Sequence, residues 1–138
     1  MLAKPSAGWC RLTLGDFTAS ASYLTDIPFE WLRACINGLK YHIPAAFYLD
    51  EEGSECLIVS DFEMGTYIIR RHDSTTLKRV DKLYLWDFSE QLLADIRENF
   101  EGWVCWSTSA LNNEQYARRK AELTALLDEA ERLLTPAQ

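Results

Sequence analysis

Polar and apolar residues alternate along the first part of the chain. Between Phe17 and Tyr23 every second residue is apolar, and Thr or Ser fills the positions between them. This period of two predicts a strand with one buried face. Residues 10–14 alternate in the same way, so Gly15 and Asp16 form either a tight hairpin turn or a bulge within one long strand. The pattern leaves both arrangements open.

Helical spacing begins after Asp26. This residue is a suitable N-cap, and Pro28 fits the first turn of a helix, where a backbone N–H is not needed. The apolar residues then recur at the i, i+3, i+4 and i+7 spacing of one buried helical stripe. They are Leu32, Cys35, Ile36 and Leu39. Gly38 is predicted to end the helix.

Four short apolar runs follow, and polar or glycine-containing segments separate the first three of them. The runs cover residues 45–49, 55–60, 66–71 and 79–86. Strands joined by such short turns usually pair with their neighbours in the chain. We therefore predict four consecutive antiparallel strands, with the polar residues 72–76 in the loop before the last strand.

Two helices complete the predicted fold. The first begins at Asp87, with Glu90 as the reciprocal partner of a capping box, and ends at Gly102. The C-terminal helix covers residues 112–134 and packs either on its own domain or on a second copy of the chain. The order β-α-β-β-β-β-α-α predicts an α+β fold, in which an antiparallel sheet of four to six strands has its helices mainly on one face.

Composition and charge narrow the classes of function. The 138 residues, 48% of them hydrophobic and 25% charged, are typical of one folded domain. We expect a single domain over residues 1–138, with 1–8 as a candidate disordered tail. The net charge of −7 disfavours nucleic acid and membrane surfaces and favours a basic protein partner. No secretory signal or membrane span is recognisable, so the cytoplasm is the expected location.

The residues that commonly carry catalysis or bind metals form no recognisable motif. The four cysteines are Cys10, Cys35, Cys56 and Cys105. None has the spacing of a zinc site, and we expect all four to be reduced core residues. The neighbours His72, Asp73 and Ser74 lie in a predicted polar turn, where they cannot converge as a catalytic triad. The sequence therefore predicts no catalytic residue, no metal and no cofactor.

The charged residues are unevenly distributed. Between residues 50 and 63 there are six acids and no Lys or Arg, and five basic residues follow between 70 and 82. An acidic surface attracts and selects a basic partner, so these acids are candidate partner-binding residues. The alternative is that they pair with the basic residues across neighbouring strands. The six acids are Asp50, Glu51, Glu52, Glu55, Asp61 and Glu63.

Two tryptophans near the end of the second predicted helix are candidate anchors of the same interface. Trp103 and Trp106 lie three residues apart, and exposed tryptophans are frequent anchors of protein interfaces. The alternative is that both are core residues that cover the end of the sheet.

The layout of the chain resembles that of bacterial immunity proteins encoded beside polymorphic or contact-dependent toxins. It is also similar to uncharacterised bacterial α+β proteins with the same order of elements. The resemblance lies in residues 14–17, 23–26 and 49–53 and in the tryptophan-bearing end of the second helix. It implies a non-enzymatic protein that binds a cognate toxin, often a nuclease with a basic surface, and occludes it. No functional residue is carried over from these families.

Two other classes of function stay open from the sequence. One is a small enzyme or ligand-binding domain with a pocket between sheet and helices, which Tyr41, His42, Tyr67 or Tyr84 would line. The other is a homodimeric structural module joined through the C-terminal helix. The chain is accordingly expected to be a monomer or a homodimer.

Overall fold

The computed structural model describes residues 1–107 and 109–136 and shows an α+β fold, as the sequence predicts. The strands are β1 (Trp9–Leu14), β2 (Phe17–Ser22), β3 (Ala45–Asp50), β4 (Glu55–Asp61), β5 (Gly65–Arg71) and β6 (Thr75–Val80). The helices are α1 (Ile27–Tyr41), α2 (Leu85–Glu98), α3 (Phe100–Val104) and α4 (Asn113–Leu134). The order in the described residues, β-β-α-β-β-β-β-α-α-α, has one strand and one helix more than the predicted order.

The strands form two separate sheets. Strands β1 and β2 make an antiparallel hairpin, in which Leu14 lies opposite Phe17. Gly15 turns the chain with a φ of +59°, a left-handed conformation that glycine adopts without steric cost. The open choice is thereby resolved as a tight turn. Strands β3 to β6 form a four-stranded antiparallel sheet in chain order.

Helix α1 begins after Asp26, as predicted, although the Asp26 carboxylate makes no capping hydrogen bond and accepts from Arg119 instead. The helix continues beyond Gly38 to Tyr41. His42 ends it with a left-handed φ of 55°. Gly38 serves close packing instead of helix termination. A Cβ atom at this position would lie 2.7 Å from Cδ2 of Leu85, so glycine allows α1 to approach the start of α2.

The boundary between the last strand and the second helix differs from the prediction. Strand β6 begins at Thr75, within the predicted loop 72–76, and ends at Val80, whereas a strand was expected over 79–86. Helix α2 begins at Leu85. A short apolar run fits a strand or one turn of a helix equally well. Here the backbone N–H of Tyr84 donates a hydrogen bond of 3.1 Å to the Asp87 carboxylate. The N-cap is Tyr84, and Asp87 lies in the first turn of the helix, where its carboxylate accepts from the N-cap N–H.

Residues 1–8, predicted as a candidate disordered tail, contact the hairpin and α2. Leu2 bridges Leu12 of β1 and is buried. Its backbone N–H donates to the buried carboxylate of Asp95 at 2.9 Å, and Gln91 donates to the same carboxylate at 3.1 Å. The Met1 α-amino group lies 3.3 Å from it. A buried carboxylate with such partners holds the segment against α2.

The main core lies between the four-stranded sheet and the helices. Alternate residues of β3 to β5 point towards α1 and α2, among them Phe47. The Phe47 ring stacks on Phe88 of α2 with a centroid distance of 4.3 Å, and Trp31 of α1 meets Phe47 edge-on at 5.5 Å. Such aromatic packing buries a large apolar area. These three rings fill the space between the sheet and the helices around Phe47.

Helix α4 packs on its own chain. Its capping pair is confirmed, since Asn112 accepts from Gln115 N–H at 2.8 Å and Gln115 accepts from Asn112 N–H at 3.0 Å. The helix contacts α1 and α2 through four buried residues at helical spacing. They are Leu123, Leu127, Ala130 and Leu134.

The cysteines are buried at three positions only. Cys105, which directly follows α3, is exposed, so the expectation of four core cysteines is wrong there. Burial raises the pKa of Cys10, Cys35 and Cys56 to about 12 in each case. Because the thiolate is the reactive form, these three thiols are protected both sterically and chemically.

Thiol labelling tests this arrangement. Near neutral pH we expect one thiol of the native chain to react rapidly with a maleimide, and all four to react after denaturation. Counting labels by mass spectrometry measures both states. Cys105→Ser removes the rapid reaction, and a second rapidly labelled thiol in the native protein would contradict the burial.

Candidate protein-binding surface

The four-stranded sheet has an outer face that no helix or strand of the described residues covers. Side chains alternate along each strand, and those not directed at α1 and α2 point to this face. The strand register aligns them in rows across all four strands. One row is Tyr48, Leu57, Ile69 and Leu77. The next is Ala46, Val59, Tyr67 and Arg79.

The seven apolar residues of these two rows are here called the apolar band. Leu77 is 68% exposed, Tyr48 41% and Leu57 36%. Four other exposed large apolar residues lie where β3 and β5 begin and β6 ends. They are Tyr41, Ile43, Met64 and Tyr84. Together with the three exposed band residues they account for seven of the nine exposed large apolar residues in the described chain.

The size of the outer face suits an interaction surface. Four strands about 4.8 Å apart, each about six residues long at about 3.4 Å per residue, give the whole outer face a planar footprint of about 400 Å², of which the two rows of the apolar band occupy about 260 Å². Apolar patches of about 300–600 Å² are the largest that monomeric proteins usually expose, and they are often functional. Single exposed apolar residues are normal, whereas an apolar band continuous over four strands needs an explanation.

The candidate acids do not form one acidic face. Asp50 and Glu52 lie at the β3–β4 turn, and Asp61 and Glu63 lie at the β4–β5 turn. These two pairs are here called the acidic turns. They lie at opposite ends of β4, which separates them by about 20 Å. None of the four carboxylates forms an ion pair with another described residue. The acidic turns therefore flank the apolar band at both ends.

The other two candidate acids are paired within the chain. Glu51 accepts hydrogen bonds from Nε and Nη2 of Arg70 at 3.0 and 2.8 Å and from Ser20 N–H at 3.3 Å, and its side chain is only 7% exposed. It joins the hairpin to the sheet. Glu55 forms an ion pair with Arg71 directly opposite on β5. For these two acids, pairing across neighbouring elements is what the structure shows.

Both candidate tryptophan anchors are core residues. Trp103 is 0% and Trp106 4% exposed, and their ring centroids lie 5.1 Å apart. Trp106 Nε1 donates a hydrogen bond of 2.8 Å to the carbonyl oxygen of Thr25, which ties the end of α3 to the chain before α1. Neither ring is accessible to a partner. The alternative that they cover the core is correct.

The residues proposed for a pocket between sheet and helices are dispersed. Tyr67 points to the outer face, and Tyr41 and Tyr84 are exposed at one end of the sheet. His42 stacks on Phe62 with a centroid distance of 4.4 Å. An open depression of about 520 Å³ lies elsewhere. It is lined by Ser54, Arg70, His72, Asp73, Ser74 and Thr76.

Residues 1–107 and 109–136 contain neither a cluster of metal-binding side chains nor a helix suited to cross a membrane. No group of three or more His, Cys, Asp or Glu side chains has an arrangement suited to a metal ion. Among the described helices, none combines the length and the apolar composition that a membrane crossing needs.

The sequence analysis missed the apolar band, although a signal for it was present. Residues 45–49, 56–59 and 67–69 are apolar at nearly every position. An antiparallel strand with one solvated face normally alternates between apolar and polar residues. Loss of that alternation in three successive strands is typical of a sheet whose second face is also covered.

Comparison with known proteins adds no assignment. The chain matches no protein-family model, no curated protein and no solved structure. The function is therefore argued from the outer face and its flanking charges.

Proposed function

We propose that this chain is a non-enzymatic protein-binding module that binds a basic protein through the outer face of its four-stranded sheet. The observation that supports this proposal is the apolar band, which is open to solvent and flanked at both ends by carboxylates without ion pairs to other described residues. Most concretely, we propose an immunity or inhibitor protein that occludes a basic partner such as a toxin. Four free cysteines suit a reducing compartment, and we propose the cytoplasm.

The two parts of the surface have different roles in this proposal. Protein interfaces commonly have a desolvated apolar centre and a polar rim. The apolar band supplies the centre, where Tyr48, Leu57 and Leu77 become buried on binding. The acidic turns form the rim, where charge mainly accelerates encounter and excludes wrong partners. The net charge of −7 adds long-range attraction for a basic protein.

Variants of the two parts test the proposal separately. The tagged chain is used to purify its partner from the native cell, and the purified pair is measured by calorimetry and stopped-flow kinetics. Leu77→Asp is expected to weaken binding at least about tenfold, because it places a charge in the desolvated centre. Folding is unaffected, since this side chain is already mostly exposed.

Charge reversal at the rim is expected to act on the association rate. Lysine at all four positions of the acidic turns reduces the rate and the salt dependence of binding, with a smaller effect on dissociation. Matched controls are Leu24→Asp for the apolar change and, for the charges, lysine at four exposed acids elsewhere, namely Glu30, Glu90, Glu98 and Glu122. Partner binding that is unchanged in affinity and in salt dependence by these four reversals contradicts a basic partner.

A further inference from the structure

The outer face is complementary to a second copy of itself. Consider two sheets packed face to face about a two-fold axis parallel to their strands. Each row then faces the same row of the second copy, and the strand order is reversed, so that β3 lies over β6 and β4 lies over β5. Aligned sheets of this kind pack about 10 Å apart.

In the two rows of the apolar band, this arrangement places apolar residues over apolar residues in three of the four distinct pairs. Tyr48 of one copy lies over Leu77 of the other, and Leu57 lies over Ile69. In the neighbouring row Val59 lies over Tyr67, and Ala46 lies over Arg79, the one charged side chain of these two rows. The two-fold axis makes each of these contacts occur twice. A row of four apolar side chains in exact register across the sheet is what such a pairing requires.

The charged residues of the same face favour this axis over its alternative. Asp50, Glu55, Arg71 and Thr75 form the row next to the apolar band. With the axis parallel to the strands, Glu55 faces Arg71 of the second copy and Asp50 faces Thr75. With the axis across the strands and through the middle of the apolar band, the rows are reversed, and Glu55 lies over Asp61 of the second copy, which brings like charges together. Only the first arrangement brings opposite charges together.

We infer that a second copy of this chain covers the outer face when the partner is absent, so that a homodimer and the partner complex compete for the apolar band. The homodimer itself does not depend on the proposed function, whereas the competition does. Two footprints of about 400 Å² bury about 800 Å², below the roughly 1,200 Å² of a standard stable interface. We therefore expect a weak homodimer, with a dissociation constant of about 10 µM to 1 mM, which a tighter partner displaces.

Sedimentation equilibrium of the full chain measures the homodimer. From about 1 µM to about 1 mM the average mass is expected to rise from one chain towards two. Added salt strengthens this association, because two chains of charge −7 repel each other at low ionic strength. Binding of a basic partner has the opposite salt dependence, which distinguishes the two occupants.

Substitutions test the face and the register. Leu57→Glu alone and Ile69→Lys alone are each expected to raise the dimer dissociation constant at least about 100-fold, since each change occurs twice at the interface. The two changes in one chain place the new carboxylate over the new ammonium and recover part of that loss. Leu24→Glu, and Ala125→Glu on the exposed side of α4, are expected to leave the dimer unchanged. Circular dichroism confirms the fold of every variant.

The outcomes separate this inference from the proposed function. A wild-type chain that stays monomeric at about 1 mM overturns the homodimer, whatever the partner does. A dimer that Ala125→Glu disrupts and Leu57→Glu does not places the contact on α4 and also overturns it. If Leu57→Glu abolishes the homodimer and leaves partner binding unchanged, the homodimer stands and the proposed binding surface for the partner is wrong.

Discussion

Replacing Trp103 with alanine is expected to lower the free energy of unfolding by about 3–5 kcal/mol, the usual cost of truncating a fully buried aromatic residue. The ring is 0% exposed and packs against Trp106. Alanine leaves a cavity between α3 and the core, which a close-packed interior fills only in part. Urea unfolding followed by far-UV circular dichroism measures the change. Trp9→Ala is the matched control, and because Trp9 is 41% exposed we expect a loss below about 1 kcal/mol.

Trp103→Phe separates the contribution of ring volume to stability from that of the indole N–H. The indole N–H of Trp103 is buried and has no hydrogen-bond partner among the described residues. Phenylalanine removes this unsatisfied donor while retaining much of the ring, so the two effects oppose each other and we expect a change within about 1 kcal/mol. If Trp103→Ala left stability unchanged and abolished partner binding, the residue would belong to the interface and its burial would be wrong.

The sequence predicted the elements with strong local signals. The alternation in 17–23, the stripe in α1, the successive strands from β3 to β5 and the Asn112–Gln115 capping pair are all present. Each depends on neighbouring residues alone, so no knowledge of tertiary contacts is needed. The fold class followed from their order.

The errors occurred where tertiary contacts decide between two local solutions. Residues 83–86 suit the end of a strand or the start of a helix, and burial of Leu85 under Gly38 of α1 selects the helix. Gly38 suggested a helix end because glycine is common there, although its role here is close packing between helices. Neither contact is visible from neighbouring residues in the sequence.

The candidate site was predicted only in part, because its arrangement also depends on tertiary contacts. Six acids between residues 50 and 63 are evident in the sequence. Which of them form ion pairs within the chain depends on whether a neighbouring strand places an arginine or lysine beside them. The strand register places Arg71 opposite Glu55 on the outer face. Arg70 points to the other face of the sheet, where it pairs with Glu51. The remaining four acids are divided between two turns because consecutive hairpin turns lie at opposite ends of an antiparallel sheet. The unpaired acids of one contiguous stretch of sequence thus form two separate pairs, which flank an apolar surface at its two ends.

Arg119 connects three elements, and its replacement is the second change with a large expected effect. Its Nη1 and Nη2 donate to the two carboxylate oxygens of Asp26 at 3.0 and 3.2 Å. Its Nε donates to the carbonyl of Val104 at 2.7 Å, and Nη2 also donates to that of Trp106 at 3.0 Å. The guanidinium lies 4.4 Å from the Phe29 ring centroid. One side chain therefore joins α4 to the start of α1 and to the end of α3.

Arg119→Met is expected to lower the free energy of unfolding by about 2–3 kcal/mol. This is less than the usual cost of removing one partner of a fully buried ion pair, because Asp26 is partly exposed. Methionine retains the apolar stem but leaves the carboxylate and the carbonyls at the end of α3 without their donor. Arg119→Lys recovers less than half of the loss, since one ammonium cannot reach both groups in the geometry of the planar guanidinium. Arg118→Met is the matched control: its ion pair with Glu114 is exposed, and we expect a loss of about 0.5 kcal/mol or less. Equal losses for Arg118→Met and Arg119→Met in urea unfolding would show that these partly buried hydrogen bonds contribute nothing beyond an ordinary surface ion pair.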